Sequence, residues 1–447
     1  MNGSAPGPAN GPVTGPASGF VPSRALRRAV LLACLLLVAG TAAGRLDLVV
    51  VAMPFALGTA WALRRRPAVP PVAKVAAGGQ MLAEGGPFAA TVSVGNADEV
   101  GYDLVVVRTR LSRWLDVPDA DRPYAAVLPA GGIADVALAG TAIRWGHHAV
   151  GPAEVTAAAC DALLVSRPVT AAPAGVKVYP LTEPFAADDA MPRAAGLVGA
   201  HRSRLRGDAG ELAGVRQFGP GDRLRRIDWR VTLRTRQLHV ASTLSDRDAE
   251  VVLLLDVLHE AGHSGGVRGA ASVLDTTVRA AAGIAEHYLH RGDRVSLVEY
   301  GGRTRRLRPA SGRRQYTVAL EWLLDVAVAQ NTQLAAGGFD PQLVPGNALA
   351  VVLTPLLDLD SAKMLARMAR AARTVVAVDT LPPNVRFDEP GDWADVANRI
   401  WRLDRANIIG QLREHGVPVV AWAGSGSLDQ VLRDVSRMAA APKAVMR

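Results

Sequence analysis

The chain has little cysteine: two residues among 447, Cys34 and Cys160, the first inside a strongly apolar run. That excludes a disulfide framework, and without a CxxC pair there is no zinc knuckle either. A phosphate-cradling loop is also missing, since Gly219 and Gly221 are not followed by Gly-Lys-Ser/Thr. The sequence also lacks a basic body. Residues 1–66 hold seven Arg against one Asp, so +6 of the formal net charge of +9 lies there. The other 381 residues carry 43 basic and 40 acidic groups, which is not the footprint of a DNA-binding domain. With 49% hydrophobic and 20% charged residues, the balance is that of an ordinary globular chain, long enough for two or three domains.

The amino-terminal excess flanks two apolar runs. Residues 1–23 are rich in Gly, Pro, Ala and Ser and carry no charge, so they are expected to stay disordered. Arg24, Arg27 and Arg28 precede the run 29–44, Arg45 and Asp47 mark a tight link, and the run 48–63 ends at Arg64, Arg65 and Arg66. Leu26 and Leu46 extend both runs toward the ~20 residues a spanning helix needs, so residues 24–66 predict a two-helix membrane hairpin. Arginines at both outer ends place those ends, and the body of the chain, in the cytoplasm as a two-pass cell-membrane protein. Trp61 suits an interfacial anchor. The competing reading is a signal peptide cleaved near Ala43; the second run would then stop transfer and leave the body cytoplasmic all the same.

From 70 to 180 the pattern is of short Val- and Thr-rich strands separated by turns, which predicts a small β-sandwich-like module. His147 and His148 are adjacent on a strand, so they point to opposite faces and read as ordinary surface histidines. Residues 181–249 read as a turn-rich linker plus a distinctive segment. From 250 to 441, buried strand runs at 250–256, 294–300, 348–354, 374–380 and 417–423 alternate with helical patterns, the last at 428–441. This alternation predicts an α/β domain with a mostly parallel, doubly wound sheet.

Directly after the first strand run, His259-Glu260-Ala261-Gly262-His263 matches the H-E-x-x-H of zinc peptidases. That chemistry requires a helix, where i and i+4 bring both imidazoles to one face. Here the motif leaves a strand and runs into Ser264-Gly265-Gly266, so it is expected on a loop. Glu286 is a conceivable third ligand. A membrane zinc metallopeptidase using this motif is therefore the alternative reading, not the preferred one.

The segment 214–240 joins a Gly-Pro-Gly-Asp turn to an arginine-dense stretch with one Trp. Asp222 and Asp228 are expected to pair with neighbouring arginines, one of which could stack on Trp229. A nucleic-acid or anionic-lipid site over Arg216–Arg236 is the weaker alternative. This segment closely resembles the signature of the bacterial family called domain of unknown function 58. Arg216, Phe218, Gly221, Asp222, Arg225 or Arg226, Ile227, Trp229, Arg234, Leu238 and Val240 fit its pattern. Leu233 departs from it, standing where the family has a small residue. The resemblance extends across nearly all of residues 24–440. It implies a von Willebrand factor A-like, Rossmann-like fold at the carboxy end and partnership with a MoxR-type AAA+ ATPase in complex assembly. The family supplies no catalytic residues. Arg216, Gly221, Asp222, Arg226, Asp228, Trp229 and Arg234 are thus candidates for interaction.

Many von Willebrand A domains bind Mg²⁺ through D-x-S-x-S at the end of the first strand. Here Asp256 keeps the first position, Leu258 and Glu260 replace the serines, and Thr354-Pro355 stands where a distant Asp is expected. Leu offers no ligand atom, so the loop is expected to be degenerate and to hold no tight metal. The expectation is a membrane-anchored scaffold that binds protein partners, without catalytic residues or a cofactor.

Overall fold

The computed structural model describes residues 19–78, 81–182, 206–219, 224, 227–244, 250–301, 305–329, 340, 343–346, 348–371, 374–385 and 393–422. The chain forms two compact units, Met1–Ile143 with His147–Val178, and Arg144–Gly146 with Tyr179–Arg447.

The first unit opens with strand β1 (Phe20–Pro22) and helices α1 (Arg24–Ala43) and α2 (Leu46–Leu63). Ser23 caps α1 by accepting from Leu26 N at 3.2 Å, so the helix starts ahead of the apolar run proper. Gly44, at φ 64°, closes α1, and the amides of Gly44 and Arg45 both donate to Gly40 O. Gly40 also lets the helices approach: a Cβ there would lie 2.9 Å from Val49 Cγ2. Both helices are long and apolar enough to cross a membrane. Their outer faces expose Leu31, Leu35, Val38, Val50, Leu57 and Trp61, and Arg45 pairs with Asp47 at 2.9 Å at the tip.

The end of the expected disordered tail is ordered. Phe20 is buried against Tyr102, and β1 pairs with a later strand because an apolar residue three positions before the cap has a core to enter. Residues 1–18 lie outside the described residues.

Next come β2 (Val72–Ala77), β3 (Leu82–Ala83), β4 (Pro87–Gly95), β5 (Tyr102–Leu111), β6 (Leu115–Asp116) and β7 (Tyr124–Leu128). After them run β8 (Ile133–Ala142), β9 (Gly146–Ala159), β10 (Leu164–Ser166), β11 (Val169–Ala171) and β12 (Ala174–Tyr179). One sheet follows β1-β10-β9-β12-β3, with β11 and β5 also on β9 and β7 on β5; the other is β2-β4-β8-β6 and wholly antiparallel. Strand β4 buries Phe88, Ala90, Val92 and Val94 in alternation, and these share one apolar cluster with Val105, Val107, Val155 and Ala157 of the larger sheet.

In the second unit, β13 (Arg206–Gln217) pairs antiparallel with β14 (His239–Leu244), and α3 (Trp229–Thr235) lies between them in sequence. The stretch expected as linker therefore contains a strand pair and a helix. The Gly-rich run 206–214 follows an irregular register with two shifts, which hid it from a period-two reading.

The main sheet holds β15 (Glu250–Asp256), β16 (Arg294–Tyr300), β17 (Arg306–Ala310), β18 (Ala348–Thr354), β19 (Thr374–Asp379) and β20 (Val419–Ala421), in the order β17-β16-β15-β18-β19-β20. Every pairing is parallel except β16–β17 at the edge. Around it lie α4 (Val273–His290), α5 (Arg313–Leu324), α6 (Leu359–Arg370) and α7 (Ala394–Glu414).

The apolar run of β15 explains the layering. Val251, Leu253 and Leu255 enter one core with Val278, Ile284 and Tyr288 of α4 and Leu323 of α5. Val252 and Leu254 enter another with Met364, Leu365 and Met368 of α6 and Leu412 of α7. A strand covered on both faces is apolar at every position, and each such side chain contributes roughly 1.5–3 kcal/mol of transfer free energy.

Candidate functional site

Strand order reverses between β16 and β18 on either side of β15, and the carboxyl ends there form a switch point, the usual place for a ligand in an open α/β sheet. Asp256 ends β15 and is buried. Its Oδ2 accepts from Thr354 Oγ1 and Ser361 Oγ, both at 2.6 Å, and its Oδ1 accepts from Leu258 N at 3.2 Å. Burial pushes its pKa above the ordinary carboxylate range; the donors of Ser361, Thr354 and Leu258 oppose this, and the nearby Asp358 adds to it. Tyr300, at the end of β16, is pushed up by its own burial and then by Asp256 and Asp358. Thr354 Oγ1 in turn accepts from Leu356 N at 3.1 Å. Leu356 is buried at φ 49°, a strained conformation for a bulky residue. Arg405 holds the peptide before it, donating to Pro355 O from Nε at 3.0 Å and from a terminal nitrogen at 2.9 Å, and to Asp379.

This carboxylate is consumed by neutral donors that tie β15, β18 and α6 together. Leu258 is buried and offers no ligand atom, and Glu260 points elsewhere, its Oε1 accepting from Leu274 N at 3.2 Å at the start of α4. The residues present do not fit a Mg²⁺ ion of the adhesion type. Ser361 was invisible in the sequence, because nothing in the first turn of α6 signals contact with a residue 105 positions earlier.

The His259–His263 segment is loop, not helix, and Gly262 within it takes φ 78°. His259 Nε2 sits 2.9 Å from Asp358 Oδ2, while Asp358 Oδ1 caps α6 through Ser361 N at 2.7 Å. Glu286 lies 12 residues beyond Leu274 on α4, roughly 18 Å along the axis from the end that Glu260 touches. There it lies against Tyr316, whose pKa is pushed to about 12 by burial first and then by that carboxylate. Among the described residues no group of three or more His, Cys, Asp or Glu is placed to hold a metal ion. His147 and His148 sit on β9, where His148 Nδ1 faces Ser112 Oγ at 3.4 Å.

A buried acid also anchors the start of α4. Ser272 and Asp275 form a reciprocal capping box, and Asp275 Oδ1 accepts from Arg144 Nε at 2.8 Å and Trp145 Nε1 at 3.1 Å.

The signature segment forms the other candidate region. Arg216 pairs with Val240 through the backbone, Phe218 N donates to Leu238 O at 2.9 Å, and Ile227 bridges to Val240. Gly221, Asp222, Arg225 and Arg226 lie outside the described residues. Among the described residues Asp228 has no arginine ion pair; it caps α3, its Oδ1 accepting from Arg230 N at 3.1 Å and Val231 N at 3.2 Å. A short Asp side chain just ahead of a helical run satisfies amides that would otherwise have no partner. Thr232 is buried and receives His239 N at 3.0 Å, docking the helix on β14. The outer side exposes Trp229 (62%) and Leu233 (78%), one turn apart, with Leu224, Leu238, Arg230 and Arg234 also exposed. Exposed aromatic and arginine side chains are the types that contribute most contact energy where an interface forms.

A doubly wound α/β sheet, preceded in sequence by this strand pair and helix, is the class the geometry defines. Residues 214–385 match the family described as "Protein of unknown function DUF58". Uncharacterized proteins of Mycobacterium bovis and Mycobacterium tuberculosis are 28% identical over 207 residues, covering 44% of this chain. The chain spans 63% of the length of these relatives. Among solved structures, a FixG-related protein from Vibrio parahaemolyticus is similar at 8% identity and TM-score 0.18, over 25% of this chain and 97% of that one. A non-cellulosomal cohesin from Archaeoglobus fulgidus is similar at 14% identity and TM-score 0.18, over 24% of this chain and 90% of that one.

Proposed function

We propose that this protein is a membrane-anchored, non-enzymatic scaffold whose cytoplasmic body binds protein partners, a MoxR-type AAA+ ATPase among them. The observation that carries the reading is the signature helix α3, which caps and docks itself by Asp228 and Thr232 while turning Trp229 and Leu233 to solvent between arginines. Neighbouring exposed apolar side chains rimmed by polar residues, unlike singly scattered ones, are the mark of an interaction surface.

Three further assignments belong to the proposal. The six-stranded order with its antiparallel edge supports a von Willebrand A-like sheet, and the two sheets around one core support a β-sandwich-like module. The arginines at 24, 27, 28 and 64–66 support a cytoplasmic body.

The test is co-purification of the full chain, in membranes or detergent, with the AAA+ ATPase. Nucleotide-dependent capture by the wild type, lost in Trp229→Ala/Leu233→Asp, supports the scaffold. Stoichiometric zinc together with a peptidase activity abolished by His259→Ala would instead establish the metallopeptidase. Salt-sensitive DNA binding lost on neutralising Arg230 and Arg234 would move the segment to nucleic acid.

A further inference from the structure

Helix α7 is docked by one narrow side. Asn398 and Leu412 are buried, and Ile408 and Ile409 pack on the core beneath it. The opposite side carries Val396, Ile400 and Leu403, preceded by Trp393 at the N-cap, at exposures of 43, 55, 66 and 77% respectively. The spacing is three, four, three, which is a coiled-coil seam and narrower than the stripe a core-facing helix shows.

In heptad terms Trp393, Ile400 and Asn407 occupy a positions, and Val396 and Leu403 occupy d positions. Ile at a followed by Leu at d favours two parallel strands, and a single polar Asn at a fixes register and pair number at some cost in stability. Asn407 is exposed, as such a residue is before its partner arrives. The flanks agree. Arg399 falls at g and Asp404 at e, five residues on, the offset at which g of one helix meets e of its parallel neighbour. An antiparallel pair centred on the same stripe brings the two Arg399 side chains together instead. Arg402 and Arg405 are not part of the seam, and both donate to carbonyls of their own unit.

We infer that α7 joins two copies of this chain as a short parallel coiled coil, with Ile400 against Ile400, Leu403 against Leu403 and Arg399 against Asp404 in both directions. The seam is only about two heptads long. Confinement of both copies by their apolar helices in one bilayer would raise the effective concentration enough for it to matter.

The test uses the full chain in native membranes with Cys34→Ser and Cys160→Ser. Leu403→Cys and Asn407→Cys, each added singly, are expected to give disulfide-linked dimers on mild oxidation, while Arg402→Cys, facing away, gives none. Arg399→Asp or Asp404→Arg alone should weaken pairing roughly tenfold by turning two attractive contacts into repulsive ones, and the double exchange should restore it. These positions are exposed, so unchanged thermal unfolding verifies that each variant folds. The inference is overturned if Leu403→Cys gives no dimer or captures only a different protein. It is equally overturned if cross-linking requires one Leu403→Cys chain and one Trp393→Cys chain, or if the double exchange fails to restore pairing.

Discussion

Two parts of the second unit hold an aspartate at the edge of a regular element, and they use it in opposite ways. Asp256 is inside, its carboxylate taken up by Thr354, Ser361 and the Leu258 amide. Asp228 is at the surface, where it caps α3 and leaves Trp229 and Leu233 facing water. The first lies at the position where this kind of sheet ordinarily receives a ligand and ties β15 to β18 and α6; the second starts a helix beside exposed apolar side chains. The contrast is between a carboxylate spent on tying a strand end to its neighbours and one spent on starting a helix whose apolar side chains face water; the proposed scaffold role rests on the second.

The sharpest way to break this contrast is to remove Asp256. Asp256→Ala leaves two buried hydroxyls and an amide without their acceptor and opens a cavity, and is expected to cost about 3 kcal/mol in denaturant unfolding of the full chain. Retained stability would mean that the carboxylate is held for something other than tying β15 to β18 and α6. Asp256→Asn sharpens the same point through pH. Because burial raises the Asp256 pKa in the folded state, its stabilising contribution is complete below the unfolded value of about 4 and is lost as pH rises through the folded value. Wild-type stability should therefore fall relative to the Asn variant across that window, and a constant difference would show that the carboxyl is not perturbed.

Ser361→Ala removes one of the two hydroxyl donors and should cost about 1–2 kcal/mol, less than Asp256→Ala because Thr354 remains. On the surface side, Asp228→Ala deletes the cap of a seven-residue helix and should cost about 1 kcal/mol. Its signature is local: amide exchange should quicken over 229–235 while the amides of β15 stay protected. Global loss of protection would merge the two regions into one structural unit.

The two regions were not equally legible in the sequence. The run at 250–256 declared itself because a strand buried on both faces is apolar throughout, and it coincides with β15. The loop character of His259–His263 followed from the same run, since a strand that ends at Asp256 leaves no helix for the motif. Leu258, which stands where an adhesion site has a serine, is buried. The partners of Asp256 are less accessible: Thr354 stands at a position the adhesion pattern marks, but Ser361 and the Arg405 grip on Pro355 depend on crossovers that bring distant residues together. At 206–217, register shifts and glycines erased the alternation that makes a strand readable. At Asp228 an arginine-dense neighbourhood drew attention away from the helix that starts one residue later and that this side chain caps.

Leu233 gives the smallest effect on folding and the most direct view of the surface. It stands 78% exposed on α3, one turn from Trp229, in a position where the family resemblance leads one to expect a small residue. Leu233→Ala removes little buried area, so unfolding should change by no more than about 0.5 kcal/mol. If the residue contributes an apolar anchor to a partner, capture of that partner should weaken by about tenfold, because truncating a central contact costs more than 1 kcal/mol where a solvent-facing one costs nothing. The two measurements pull apart what a single stability assay would confuse. A fall in stability with capture intact would make Leu233 a packing residue of the β14 face. A fall in capture with stability intact would place the partner on α3, and the extra bulk at 233 would then set this chain's preference among partners.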